Sequence, residues 1–173
     1  MKMKKILILA LAVVMAGSLA ACGMGDVGGT QSAPNASSQA AVSSAVGSDN
    51  MEDSLAGLEK YLSSNSAISG TPTEMKADFI GAKKGAKYQF DYNGKNNVTV
   101  ELYEFDTGSL SGEASAVLDE VKEKNQFTIM NQTVPAVISD SGKYIMIYKD
   151  TSGSDENKQH QEDVTKLFQA FKK

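Results

Sequence analysis

Apolar residues recur along this chain with two periods, and the changes of period mark its elements. From Met51 or Glu52 to Ser64, the residues Met51, Leu55, Leu58, Tyr61 and Leu62 return every three or four positions, as on one face of a helix. Gly57 weakens that helix. After Gly70, Thr71-Pro72-Thr73-Glu74 reads as a helix start. Thr71 is the N-cap, Pro72 the first helical residue, and Glu74 the reciprocal partner of a capping box. Met75, Phe79 and Ile80 supply the buried stripe of this second helix, and Gly81 ends it.

The period then falls to two. Tyr88, Phe90 and Tyr92 share one face of a strand over 87–92. Over 97–105, Val98, Val100 and Leu102 share one face, with Thr99, Glu101, Tyr103 and Phe105 on the other. A two-residue Asn93-Gly94 turn sets the aromatic residues beside polar ones. An odd loop, three residues ending at Gly94, instead aligns Tyr88 and Phe90 with the valine face.

The same grammar then repeats. Ser111 caps a helix over 112–124 with Leu110, Ala114, Val117, Leu118 and Val121 as its stripe, and Asn125 terminates it. Residues 134–139 and 143–149 flank Asp140-Ser141-Gly142, and a three-residue loop pairs Ile138 with Tyr144, Ala136 with Met146 and Val134 with Tyr148. Phe127–Met130 offers a further short strand. Pro135 points to a sheet edge. A last helix, capped by Ser152 or Ser154, runs over 155–171 with His160, Val164, Leu167, Phe168 and Phe171 inward.

The predicted order is α, α-β-β, α-β-β, α. Gly94-Lys95 and Gly142-Lys143 are matching hairpin exits and suggest an internal duplication. The predicted fold is α+β: a four-stranded antiparallel sheet from two α-β-β units, helices packed on one face, and an extra helix at each end.

The N-terminus has a different grammar. Three lysines (Lys2, Lys4, Lys5) precede the apolar run Ile6–Ala16, and small residues lead to Cys22. This is the layout of a secretory signal peptide, and the run is short of the roughly 20 residues of a membrane span. Leu19-Ala20-Ala21-Cys22 resembles the lipobox of bacterial lipoproteins. The resemblance covers residues 1–22. It implies cleavage between Ala21 and Cys22 and a diacylglyceryl group on the Cys22 thiol. Cys22 is the only cysteine, so lipidation leaves the mature chain without disulfide or thiol nucleophile. Acyl chains anchor durably because each buried methylene contributes about 0.8 kcal/mol. The expected location is the outer face of the cytoplasmic membrane, or the outer membrane in a two-membrane host.

The chain therefore divides into a leader at 1–21, a lipidated Cys22 with a tether to 50, and one domain at 51–173. The tether is Gly, Ser, Ala, Asn, Gln and Thr without apolar periodicity, a composition expected to be disordered, spanning about 30 Å as a coil.

Charge narrows the partners. There is no arginine, and without Lys2, Lys4 and Lys5 the remaining 14 lysines face 21 acidic residues, a net charge near −7. That argues against nucleic acid, against anionic lipid or teichoic polymers, and against bidentate phosphate or carboxylate clamps.

Candidate chemistry is sparse. His160 is the only histidine and falls on a buried stripe, where a packing role is expected. Glu156 and His160 lack a third ligand for a metal. Glu101 and Glu104 point to opposite faces of a strand. Asp119, Glu120 and Glu123 alternate with lysines on a solvated helix face. Asp150, Asp155 and Glu156 lack calcium-loop spacing. Lys83, Lys84 and Lys87 form a positive cluster without a phosphate-cradling glycine pattern. No cofactor, metal or catalytic set is expected.

Aromatic residues are the main binding candidates: Tyr103 and Phe105, or Tyr144 and Tyr148, on the second sheet face, which is either left free by the helices or covered by the first helix in a three-layer core, the latter being the favoured reading. Whether the second pair points out is open, because Ile145 and Ile147 compete for the core. The expected function is a lipid-anchored extracytoplasmic module, not an enzyme, binding a peptide, protein or cell-wall component through the sheet face or its edge. A carboxylate- or metal-dependent hydrolase and a solute-capture lipoprotein of a transporter are the alternatives.

Overall fold

The computed structural model describes residues 46–173. The leader, the Cys22 lipidation site with its cleavage point at Ala21, and the tether up to residue 45 lie outside the described residues.

Helix α1 (Leu55–Ser64) is followed by strand β1 (Thr73–Met75), a 3₁₀ turn (Asp78–Ile80), and strands β2 (Lys84–Phe90) and β3 (Val98–Glu104). Helix α2 (Gly112–Lys124) leads to β4 (Gln126–Ile129), β5 (Gln132–Pro135), β6 (Val137–Ile138) and β7 (Tyr144–Asp150), and α3 (Asp155–Gln169) completes the described elements. The fold is α+β. Five strands form an antiparallel sheet in the order β1-β2-β3-β7-β6, and β4 and β5 form a separate ribbon.

Alternation along β3 and β7 sorts the core into two layers. Val98, Val100, Leu102, Tyr144 and Met146 join Leu58 and Leu62 of α1 and Val164, Phe168 and Phe171 at the α3 end. Tyr103, Phe105, Ile145 and Ile147 join Val117, Leu118 and Val121 of α2. Helices therefore cover both faces, not one. A strand buried on both sides carries an unbroken apolar run, as Tyr144-Ile145-Met146-Ile147 does.

Several expectations need correction. The sheet has five strands, not four, because Thr73–Met75 is an edge strand rather than a helix, paired Thr73 to Lys87, Glu74 to Ala86 and Met75 to Gly85. Tertiary pairing overrides the capping-box signal here. Extension lets Met75 reach the Tyr103 hydroxyl at 4.0 Å and lets Ala77 and Ile80 enter the α2-side core. Phe79, placed in the predicted stripe, is 42% exposed. Gly81 does stop the turn, with φ of 69°. With the second helix gone, the two α-β-β units do not repeat.

In the first hairpin the parity argument holds: Tyr88 faces Val100 and Phe90 faces Val98. The loop is longer than expected, running from Asp91 to Asn97. Asn93 and Asn96, not Gly94, take the left-handed conformation. The Asn97 side chain closes the loop, accepting from the Tyr92 amide at 2.9 Å and donating to its carbonyl at 2.8 Å.

The second hairpin is shifted by one residue. Ile138 pairs with Ile145 and Val137 with Met146, while Val134 pairs with Phe127 in the ribbon. The cause is Ser139, whose amide donates to the Tyr144 carbonyl and whose hydroxyl accepts from the Tyr144 amide. The strand breaks at Pro135-Ala136, where the Ala136 amide turns away to the Asn125 carbonyl.

Helices α2 and α3 begin where the caps predict: Ser111 accepts from Ala114 and Ser154 from Asn157. Asn125 ends α2 in the left-handed conformation, as expected, whereas Leu110 stays outside the core at 41% exposure.

Candidate functional site

The four aromatic candidates do not form a surface. Tyr103 and Phe105 lie under α2, and Tyr144 is buried on the opposite side of the sheet. Tyr148 sits on the Tyr144 side, half-buried near α3. The Tyr103 hydroxyl donates to Glu101 at 3.0 Å and the Tyr144 hydroxyl to Asp53 at 2.7 Å. Burial and the neighbouring carboxylates push both phenols up. These are satisfied core tyrosines.

His160 stacks on Tyr92, rings 3.7 Å apart and 7° from parallel, with Tyr148 edge-on at 6.4 Å. The Nε2 of His160 and the Tyr148 hydroxyl are buried without a hydrogen-bond partner. Burial lowers the imidazole below its ordinary value, partly offset by Asp163 and Asp150. Asp150 next door is committed to structure. Desolvation raises its carboxyl, but bonds from Asn157, the Ser152 amide and Asn97 outweigh this and hold it low. Asp150 is therefore not free for a ligand beside Asp155 and Glu156. No group of three His, Cys, Asp or Glu side chains converges among the described residues. Lys84 and Lys87 alternate along β2, so the lysine run is not one cluster.

Both faces being covered, the sheet's edges remain. The β6 edge is short and closed off where the Ala136 amide bonds to α2. The β1 edge is open: no strand pairs with its outer side among the described residues. Its alternation is fixed by register. Glu74 lies opposite Ala86, which lies opposite Leu102, so Glu74 is on the α1 side. Thr73 and Met75 face the α2 side.

Helix α1 overhangs this edge. Between them is a cleft of about 320 Å³, lined by Leu55, Ala56, Glu59, Pro72, Glu74, Lys84, Gly85 and Ala86. Leu55, Ala56 and Pro72 give it apolar walls, and the backbone of Gly85 and Ala86 its floor. Burial pushes the Glu59 carboxyl up, against the pull of Lys84. Neither Glu59 nor Glu74 forms a side-chain hydrogen bond or ion pair among the described residues. Glu59 does not stand out in the sequence, and Glu74 does so only as a capping-box partner, because the helical reading of 71–80 hid the edge. The one signal was Thr73, β-branched, after a proline.

No family model, no curated protein and no solved structure matches this chain. No helix of the described residues is long and apolar enough to cross a membrane.

Proposed function

We propose that this chain is a lipid-anchored, extracytoplasmic binding module that takes up an extended peptide segment as an added strand on β1. Cys22 carries the anchor at the outer face of the cytoplasmic membrane, and the domain is non-catalytic. The observation that carries the binding reading is the open β1 edge beneath the overhang of α1. Strand addition draws affinity from main-chain hydrogen bonds and specificity from clefts that accept alternate side chains. A three-residue edge leaves room for a short contact, so the affinity belongs to the weak and transient range.

Two experiments test the two halves. Mass spectrometry of the exported chain should find a diacylated Cys22 as first residue, and Cys22→Ala should release the protein from membranes; a free thiol at Cys22 overturns the anchor. Hydrogen exchange of the full chain, screened against extended peptides, should show slowed exchange confined to residues 73–75 and their flanks. Protection located at another surface overturns the edge.

A further inference from the structure

We infer that the strand added on β1 carries a lysine or arginine opposite Glu74, its alkyl stem against Leu55, Ala56 and Pro72 and its head between Glu59 and Glu74. This rests on the strand-addition reading and specifies its ligand. In an antiparallel sheet, side chains directly opposite one another share a face. A residue added beside Glu74 therefore projects to the α1 side, into the cleft.

The lining matches the two halves of a long cationic side chain. Such chains bury their methylenes along apolar surface and keep the charge where it is paired. Leu55, Ala56 and Pro72 offer the first, and two carboxylates without partners among the described residues offer the second. Lys84 is the single cation in the lining. It stands at the first residue of β2, on the face of Glu74 and diagonal to it; it pulls on Glu59 but forms no ion pair with either carboxylate within 4.0 Å. The cleft keeps a net negative charge. The partly desolvated Glu59 carboxyl gains most from an incoming cation, since an opposite charge offsets burial. The acidic balance of the chain outside its leader steers a basic partner in the same sense.

The probes are three fluorescein-labelled heptapeptides of alternating Thr and Val, with lysine, norleucine or glutamate at the centre. Norleucine keeps the stem and removes the charge. Each is titrated by anisotropy against the full chain in detergent micelles, with hydrogen exchange locating the contact. The lysine peptide should bind about tenfold tighter than the norleucine peptide, as suits a charge-assisted contact. The glutamate peptide should bind weakest. The double variant E59Q/E74Q, with an unchanged circular dichroism melt, should bring lysine down to norleucine. Raising salt to 1 M, where the Debye length is about 3 Å, should narrow the gap. Equal binding of all three peptides with protection at 73–75 overturns the cation while leaving the edge standing. Absence of protection at 73–75 with every peptide overturns both. Protection at 73–75 that appears only on raising protein concentration, with no peptide present, assigns the edge to a second copy and also overturns the inference.

Discussion

The Glu104 carboxylate accepts a 2.9 Å hydrogen bond from the amide of Leu55, forty-nine residues earlier in the chain. The first amides of a helix lack intrahelical partners and favour negative charge. Ser54 caps one of them, on Gly57, and Glu104 caps another from the sheet. Lys143, 3.5 Å from the other Glu104 oxygen, also reaches Asp53, so three chain segments meet there. This junction ties the first turn of α1 to the end of β3.

Glu104→Ala should therefore cost about 3 kcal/mol, as expected for removing one member of a buried, hydrogen-bonded pair. Glu104→Gln should cost less, because its amide oxygen still accepts from Leu55. Urea unfolding followed by circular dichroism measures both. The chain has no tryptophan, so fluorescence is a poor substitute.

Gly57→Ala sets two effects against each other. Alanine is favoured in a helix by about 1 kcal/mol over glycine. At this position, however, an added Cβ runs into the backbone carbonyl of Glu52, which folds over the first turn. Backbone cannot step aside as a flexible side chain does, so the clash wins. We expect a melting temperature several degrees lower, where helix propensity alone gives a rise. Helix α1 starts at Leu55 and not at Met51 because Ser54, in extended backbone, caps it and accepts from the Gly57 amide.

Much of the fold was legible because its signals were local and mutually consistent. Ser111 and Asn125 bracket α2 with side-chain and left-handed caps that need no tertiary partner. Parity placed Tyr88 and Phe90 on the face of Val98, Val100 and Leu102, because one wrong step exposes a whole face; the exact partners it did not fix, since the loop is longer than three residues. The failures came where distant contacts outweighed local preference. Thr71–Glu74 has the letters of a capping box, but pairing with β2 draws Thr73–Met75 into extension. Ser139 inserted one residue into the second hairpin through a side-chain bond that no periodicity encodes. The edge cleft was invisible for the first of these reasons. Glu59 and Glu74 come from segments that only the folded chain brings together.

His160 predicts an acid-side loss of stability. Burial among Tyr92 and Tyr148 lowers its folded-state value below 6.5. Protonation then costs more folded than unfolded. The stabilisation is complete above the unfolded value and falls away as pH drops through it toward the folded one. The wild-type melt should decline between pH 7 and 5. His160→Phe keeps a ring on Tyr92 and should flatten that slope. The paired carboxylates Asp53 and Asp150, held below their usual range, act only at lower pH. An unchanged slope in the variant assigns the effect elsewhere.

Asn97 offers the sharpest test of the network that closes the first loop. Its Nδ2 donates to the Asp150 carboxylate at 2.8 Å and to the Tyr92 carbonyl, while Asn157 donates to the other Asp150 oxygen at 2.7 Å. Asn97→Asp keeps the size and shape but replaces the donor by a carboxylate facing Asp150. It removes a hydrogen bond to a charged group, worth about 1.5–3 kcal/mol, and adds like-charge repulsion. Asn97→Ala loses the same bond without the repulsion. We therefore expect Asn97→Asp to be the less stable of the two at pH 7, an order opposite to that expected from steric conservation. Lowering the pH toward 4 lets one proton be shared between the carboxyls, so the gap between the two variants should close. Comparing the variants with each other at each pH cancels the contribution of His160. If Asn97→Asp is the more stable at pH 7, the Asn97 side chain is not donating to Asp150.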